Sequence, residues 1–144
     1  MNRNTLLIVD DMEINRAILR TLFEQDYDLL EAENGEQALM LINQYKHTIA
    51  AVLLDVVMPI KNGYEVMAEM KKGGLIDSLP VIIITSEDSM ENEVRAFDMG
   101  AADIIMKPFE PHVVKRRVQN TIELNLHREH PVSYTHLDVY KRQG

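Results

Sequence analysis

Short runs of apolar residues alternate along the chain with longer segments in which apolar residues recur every three or four positions. An uninterrupted apolar run is typical of a strand buried on both faces of a sheet, whereas the longer spacing is typical of an amphipathic helix. The pattern predicts five strands. They are Thr5–Val9, 27–31, the run 51–59 that carries Asp55, Val81–Thr85 and Asp103–Met106.

Each predicted strand is followed by a predicted helix. The five helices are expected over 13–25, from Gly35 onward, over 64–72, over 87–99 and over 111–126. The apolar face of the first is predicted to consist of Ile14, Ala17, Ile18, Leu22 and Phe23, and that of the second of Ala38, Leu39, Leu41 and Ile42. Ser89 is predicted as the N-cap of the fourth helix, because a serine hydroxyl can accept a hydrogen bond from the first turn.

A regular alternation of strands and helices requires parallel strands joined by right-handed crossovers, with helices on both faces of the sheet. Ligands of such a doubly wound α/β sheet bind outside the carboxyl ends of its strands. Asp10 and Asp11 follow the first strand, Asp55 lies where the third emerges, and Thr85 and Lys107 occupy the corresponding positions of the fourth and fifth. These five side chains are therefore expected to converge.

The converging groups indicate a particular chemistry. Three carboxylates in one crevice raise one another's pKa unless a cation compensates, and a hard divalent ion with oxygen ligands, Mg²⁺ rather than Ca²⁺, suits this set. Lys107 supplies a second positive charge, and Thr85 a hydroxyl that can donate to an anion. Together they are what transfer of a phosphoryl group onto Asp55 would need, with an acyl phosphate as the labile product.

Composition narrows the possible partners. The chain has 144 residues, enough for one domain with a core, and a formal net charge of -8 at pH 7. This charge argues against nucleic acid or an anionic membrane as a partner. The absence of cysteine excludes disulfides and thiolate metal sites, and no apolar run is long enough for a signal-peptide core or a bilayer span. We expect a cytoplasmic protein.

Several short motifs stand at these strand ends. They are Ile8-Val9-Asp10-Asp11, Leu54-Asp55 with Met58-Pro59 and Asn62-Gly63, Thr85-Ser86, Gly100-Ala101 and Lys107-Pro108-Phe109. In this order they resemble the receiver domain of bacterial two-component response regulators, over about residues 4–126. The resemblance implies a flavodoxin-like fold, in which a five-stranded parallel sheet of order 2-1-3-4-5 is covered by five helices.

The resemblance also implies roles for individual residues. Asp55 would be the phosphoacceptor, and the magnesium ligands would be Asp11, Asp55 and the backbone carbonyl of Val57, with Asp10 acting through water. Lys107 would pair with the phosphoryl group, and the Lys107-Pro108 peptide would be cis. The implied donor is a sensor histidine kinase or a phosphotransfer protein. The implied output surface, which is also a possible homodimer interface, is formed by helix four, strand five and helix five.

One position departs from the family pattern. Receivers usually carry Tyr or Phe three residues before the lysine, and this chain has Ile104. In the family that ring turns inward as the residue at the position of Thr85 moves toward the phosphoryl group. Ile104 has no ring to turn, so the switch at Thr85 and Ile104 is expected to use a smaller repacking or to rely on shifts of the loop and of helix four.

Two other classes of function share parts of this pattern. A phosphatase with an aspartyl nucleophile would also use a doubly wound sheet, but such enzymes usually carry Asp-x-Asp after the first strand together with a cap domain. A degenerate receiver would act only as a phosphorylation-independent binding module, and Ile104 is the feature that leaves this open. The receiver interpretation predicts a signalling domain that catalyses only its own phosphorylation and dephosphorylation.

The last part of the chain has neither helical nor strand periodicity. One choice of codons for residues 132–143 makes the first half of this segment the reverse complement of the second. We therefore interpret residues 132–144 as a sequencing-adaptor scar rather than native chain, and 127–131 as the start of a linker that is truncated there.

Overall fold

The computed structural model describes residues 3–86 and 90–129 as five strands and five helices in strict alternation. The strands are β1 (Thr5–Val9), β2 (Asp28–Ala32), β3 (Ile49–Leu54), β4 (Val81–Thr85) and β5 (Asp103–Met106). The helices are α1 (Glu13–Phe23), α2 (Gly35–Tyr45), α3 (Gly63–Lys72), α4 (Met90–Asp98) and α5 (Pro111–Glu129). The predicted N-cap Ser89 and the predicted scar at 132–144 lie outside the described residues.

The predicted elements are confirmed, with differences at their ends. β3 ends at Leu54, so Asp55 is the first residue after the strand, and α5 continues three residues beyond its predicted end. Among the helices that the structure describes, none is long and apolar enough to cross a membrane.

All strand pairs are parallel, and the order is β2-β1-β3-β4-β5, which confirms the predicted fold. β1 and β3 are neighbours, with Val9 in register with Leu54. The Asp55 N–H donates to the Val9 carbonyl at 3.0 Å. Asp10 and Asp55, the residues that follow these two strands, are therefore side by side at the carboxyl edge of the sheet.

The hydrophobic core has two layers, one on each face of the sheet. Successive β1 residues point to opposite layers, Leu7 and Val9 toward the side of α2, α3 and α4, and Leu6 and Ile8 toward the side of α1 and α5. Each fully buried aliphatic side chain of this kind contributes roughly 1.5–3 kcal/mol. The two layers hold the central strands, and with them the strand ends, in place.

The prediction for the buried face of α1 was wrong in part. Phe23 is buried as predicted, but Ile14 and Ile18 are 63% and 43% exposed, and the inward positions are taken by Leu19 and Arg16. Arg16 can be buried because its guanidinium has three hydrogen-bond partners. The apolar residues of α1 that do not enter the core line a surface groove. Its lining is Ile14, Ala17, Ile18, Thr21, Leu22 and Pro111.

Candidate functional site

Three carboxylates meet at the carboxyl end of the sheet. Asp10 and Asp11 follow β1 and Asp55 follows β3, and one oxygen from each lies within 4.8 Å of the others. Asp10 and Asp55 are buried, whereas Asp11 is exposed. The predicted convergence of these residues is therefore present, and the site has an outward-facing member that solvent can reach.

Lys107 reaches the two buried carboxylates from the end of β5. Its Nζ lies 2.9 Å from Asp10 Oδ2 and 3.3 Å from Asp55 Oδ2. The Lys107-Pro108 peptide is cis, as predicted, and the backbone N–H of Lys107 donates to the carbonyl of Thr85 at 2.8 Å. The backbone of Lys107 is thus attached to the end of β4 while its side chain extends across the site.

The charges in the site do not balance. Burial raises the pKa of the Asp55 carboxyl, and the charge of Asp10 adds to the rise; Lys107 and the N–H of Val57 oppose it without cancelling it. Burial also acts to lower the pKa of Lys107, but its contacts with Asp10 and Asp55 prevail and raise it. Three carboxylates thus face one ammonium, an oxygen donor set that fits a hard divalent cation such as Mg²⁺.

Asp10 and Asp55 differ in how their oxygens are used. Asp10 Oδ1 accepts from the Met12 N–H at 2.9 Å and from Asn15 Nδ2 at 3.4 Å, while Oδ2 accepts from Lys107. Within the described part of the chain, Asp55 Oδ1 accepts a long hydrogen bond of 3.4 Å from the Val57 N–H. Asp10 is therefore held more firmly, and Asp55 retains more of its capacity for new bonds.

The loop after β3 packs its backbone directly against that of Asp55. The Gly63 N–H donates to the Val56 carbonyl at 2.9 Å, and a Cβ at Gly63 would lie 2.4 Å from the Asp55 carbonyl oxygen. The Asn62 side chain caps α3 by accepting from the Glu65 N–H at 2.9 Å, and Glu65 accepts in turn from the Asn62 N–H. The start of α3 thereby fixes the backbone that carries the Asp55 side chain.

The remaining predicted site residues lie at or near the same edge of the sheet. Thr85 is the buried last residue of β4, and it lies in register with Met106, the residue before Lys107. The side chain of Val57 is 55% exposed. Ile104 is 9% exposed and packs in the core layer of α2, α3 and α4, where it lines a groove together with Phe97 and other residues of α4, β5 and α5.

Arg16 was missed in the sequence. Its Nη1 donates to the carbonyl oxygen of Asp10 at 2.7 Å, so Arg16 contacts the backbone of the site. The signal in the sequence is its helical spacing. Arg16 lies on the same face of α1 as Leu19 and Phe23, and a basic residue on an inward-facing helix position indicates a buried polar contact.

Comparisons with known proteins agree with this geometry. A family model described as the response regulator receiver domain matches residues 6–119. The receiver domain of the Francisella response regulator 1452 superposes with a TM-score of 0.76 at 28% identity, covering 84% of this chain and 98% of that one. The parallel sheet with an acidic cluster at its strand ends is that of a doubly wound α/β domain. The family match shows that the chain belongs to the response regulator receiver domain family.

The curated relatives are longer than this chain. "Probable transcriptional regulator ycf29" of Pyropia yezoensis is 30% identical over 90% of this chain and 57% of its own length. "Probable cyclic di-GMP phosphodiesterase" of Vibrio cholerae is 33% identical over 100% of this chain but 33% of its own length. The chain thus spans roughly a third to three-fifths of the length of these relatives.

Proposed function

We propose that this domain accepts a phosphoryl group on Asp55 from the phosphohistidine of a sensor kinase or phosphotransfer protein, in a magnesium-dependent reaction. The observation that carries the proposal is the contact of Lys107 Nζ with Asp55 Oδ2, 3.3 Å, beside two further carboxylates. A nucleophilic carboxylate, a compensating ammonium and an oxygen-rich cation site are the parts that phosphoryl transfer to aspartate requires.

The chain's own residues account for the steps. An Asp55 oxygen attacks phosphorus in line as the phosphorus–nitrogen bond of the donor histidine breaks, and the imidazole leaves with the bonding electron pair and a proton from solvent. Lys107 exchanges its contact with Asp55 for one with a phosphoryl oxygen, and the Thr85 hydroxyl donates to another. When bound, Mg²⁺ supplies positive charge to the phosphoryl oxygens, which carry the developing charge of the transition state.

The ion would be held by the carboxylates of Asp11 and Asp55 and the backbone carbonyl of Val57. Asp10 would act through water, because both of its oxygens already accept hydrogen bonds within the protein. Asp11 is exposed, and its carboxylate would therefore be able to bind the ion directly.

The absence of cysteine fits a reducing compartment, and we propose that the reaction takes place in the cytoplasm.

The phosphodonor is proposed to dock beside α1. The groove between α1 and Pro111 is lined almost wholly by apolar side chains, and Met12, next to Asp11, is itself 51% exposed. Exposed apolar surface adjoining a polar reaction site is typical of a protein interface. Docking here would bring a partner's histidine to the exposed side of the Asp55 site.

The proposed output surface is formed by α4, β5 and α5. Val94, Phe97 and Val113 are each about half exposed there, and Arg117 makes a bidentate ion pair with Asp103 at 2.8 and 2.6 Å. We propose that phosphorylation changes this face so that it pairs with a second copy or with an output partner. A sedimentation profile that beryllofluoride leaves unchanged would contradict the dimer version.

Intact mass after incubation with acetyl phosphate tests the phosphoacceptor proposal. The wild-type chain should gain one phosphoryl group only when Mg²⁺ is present, and Asp55→Asn should gain none. No adduct on the wild type at any magnesium concentration would overturn the proposal and favour the alternative of a phosphorylation-independent binding module. Ile104 in place of an aromatic residue is the observation that favours this alternative.

A further inference from the structure

Three charged side chains are buried within the part of the chain that the structure describes: Asp10, Asp55 and Arg16. Two of them belong to the acidic site. The third, Arg16, is 8% exposed and lies on α1, where it contacts the backbone carbonyl of Asp10, whereas Lys107 contacts the Asp10 carboxylate. Its burial therefore needs an explanation of its own, because desolvating a guanidinium is strongly unfavourable unless every contact is well placed.

Arg16 has a partner for each of its three nitrogens. Nε donates to Glu31 Oε1 on β2 at 3.1 Å, and Nη2 donates to Glu13 Oε1 in the first turn of α1 at 2.7 Å. Nη1 donates to the backbone carbonyl of Asp10 at 2.7 Å. The guanidinium thereby joins α1, β2 and the end of β1 at one point.

The carbonyl of Asp10 belongs to the peptide that links Asp10 to Asp11. Its orientation sets the directions in which the two successive carboxylates leave the backbone. The amide side of Asp10 is fixed separately, because its N–H donates to the Ala32 carbonyl at 3.1 Å. Arg16 thus restrains the orientation of the peptide that links two carboxylates of the cation site.

We propose that Arg16 is a positioning residue that sets the Asp10–Asp11 peptide for cation binding. The inference rests on the proposed function, since it concerns the same magnesium site. Outer groups that orient metal ligands typically change metal affinity by about 10- to 100-fold when removed. Loss of the Arg16 contact should therefore weaken Mg²⁺ binding while leaving the Asp55 nucleophile and Lys107 unaltered.

Arg20 offers a matched control for the ion-pair network. Its Nη1 donates to Glu31 Oε2 at 2.5 Å and its Nη2 to Glu13 Oε2 at 3.2 Å, so it pairs with the same two carboxylates. It makes no hydrogen bond to Asp10 among the described contacts of these residues. Arg20→Ala therefore weakens the link between α1 and β2 but spares the Asp10 carbonyl.

The test measures Mg²⁺ binding to the full chain by isothermal titration calorimetry, together with the rate of phosphorylation by acetyl phosphate across a magnesium series. The variants are Arg16→Lys, Arg16→Ala and Arg20→Ala, each compared below its own melting midpoint. Arg16→Lys keeps the positive charge but cannot reproduce the three contacts of the guanidinium, and it carries the test if Arg16→Ala does not fold. We expect Arg16→Lys to raise the half-saturating Mg²⁺ concentration about tenfold with a near-normal plateau rate, and Arg20→Ala to change it less than twofold.

Equal shifts in Arg16→Lys and Arg20→Ala, or no shift in either, would overturn the positioning role while leaving the proposed function intact. A lowered plateau rate at unchanged magnesium dependence would overturn it as well, because that result would place Arg16 in the chemical step. Failure of the wild type to bind Mg²⁺ would instead overturn the proposed function, and the positioning role with it.

Discussion

Lys107 Nζ lies 2.9 Å from Asp10 Oδ2, although the two residues follow strands that are separated in the sheet by β3 and β4. The lysine therefore crosses the whole site, and its second contact, 3.3 Å to Asp55 Oδ2, is made on the way. Lys107 thus bridges both buried carboxylates, and under the proposed function it would exchange one of these contacts for a phosphoryl oxygen.

Lys107→Met should lower the rate of phosphorylation by acetyl phosphate about 100-fold at saturating Mg²⁺, because it removes a donor aimed at the developing charge. Mg²⁺ should still bind, since the three carboxylates remain. Lys115→Met is the control: Lys115 is partly exposed and pairs with Asp26 at 3.2 Å, away from the strand ends that form the site. A rate for Lys107→Met within twofold of the wild type would contradict this role.

Asp55→Asn should stabilise the protein in EDTA at neutral pH. The pKa of Asp55 is raised above its ordinary value of 3.8, so between that value and the raised pKa the folded protein binds more protons than the unfolded chain. The free energy of unfolding contributed by Asp55 therefore falls as pH rises through this window.

The measurement is thermal unfolding in EDTA from pH 4 to pH 8. Asp55→Asn should melt about 2–4 °C above the wild type at pH 7, with the difference shrinking toward pH 4. Asp28→Asn, at an exposed carboxylate on the edge strand, should show no comparable gain. A wild-type stability that rises with pH relative to Asp55→Asn would show that the sign is wrong.

Gly63→Ala should destabilise the domain by about 1–3 kcal/mol, because the new methyl group would lie 2.4 Å from the Asp55 carbonyl oxygen. It should also slow phosphorylation by displacing Asp55. Gly73→Ala is the matched control, since the nearest atom to its methyl group is 3.6 Å away and its φ is -87°. Urea unfolding of both variants checks the contrast, and equal stability losses would exclude the close contact as the cause.

Ile60→Asn should stabilise the domain by about 1 kcal/mol. Ile60 has a φ of 68° and is 72% exposed, so it bears a left-handed conformation that β-branched residues disfavour while burying little apolar surface. Asparagine tolerates this region. The same substitution at Ile14, which is exposed on a regular helix, should give no gain, and a urea midpoint lowered by Ile60→Asn would refute the assignment of strain.

The double substitution Ile14→Ser and Ile18→Ser should slow phosphotransfer from a phosphohistidine protein about tenfold, because it removes apolar contacts of the proposed docking groove. The rate with acetyl phosphate should not change, since that donor needs no docking. Met40→Ser, 62% exposed on α2, serves as the control. Equal losses with both donors would place the effect in the site rather than in docking.

The sequence by itself determined the architecture and the chemistry of the edge. Apolar runs that alternate with amphipathic segments predict a covered parallel sheet, and the polar residue at the end of such a run, or directly after it, then lies at the carboxyl edge. Asp10, Asp55, Thr85 and Lys107 were found in this way, because chain direction alone brings such positions together.

Only the tertiary structure decided which side of α1 is buried. Ile14 and Ile18 fit the helical period as well as Leu19 does, and hydrophobicity alone would not choose Arg16 for the interior. The choice depends on Glu31 and the Asp10 carbonyl, partners supplied by other elements. Likewise the contact of Gly63 with Asp55 and the left-handed φ of Ile60 arise from a loop closing against the sheet. Hydrophobic periodicity indicates which residues avoid water. The hydrogen bonds of buried polar groups and the close backbone contacts depend instead on groups that are distant in sequence, and such contacts form only when the chain folds.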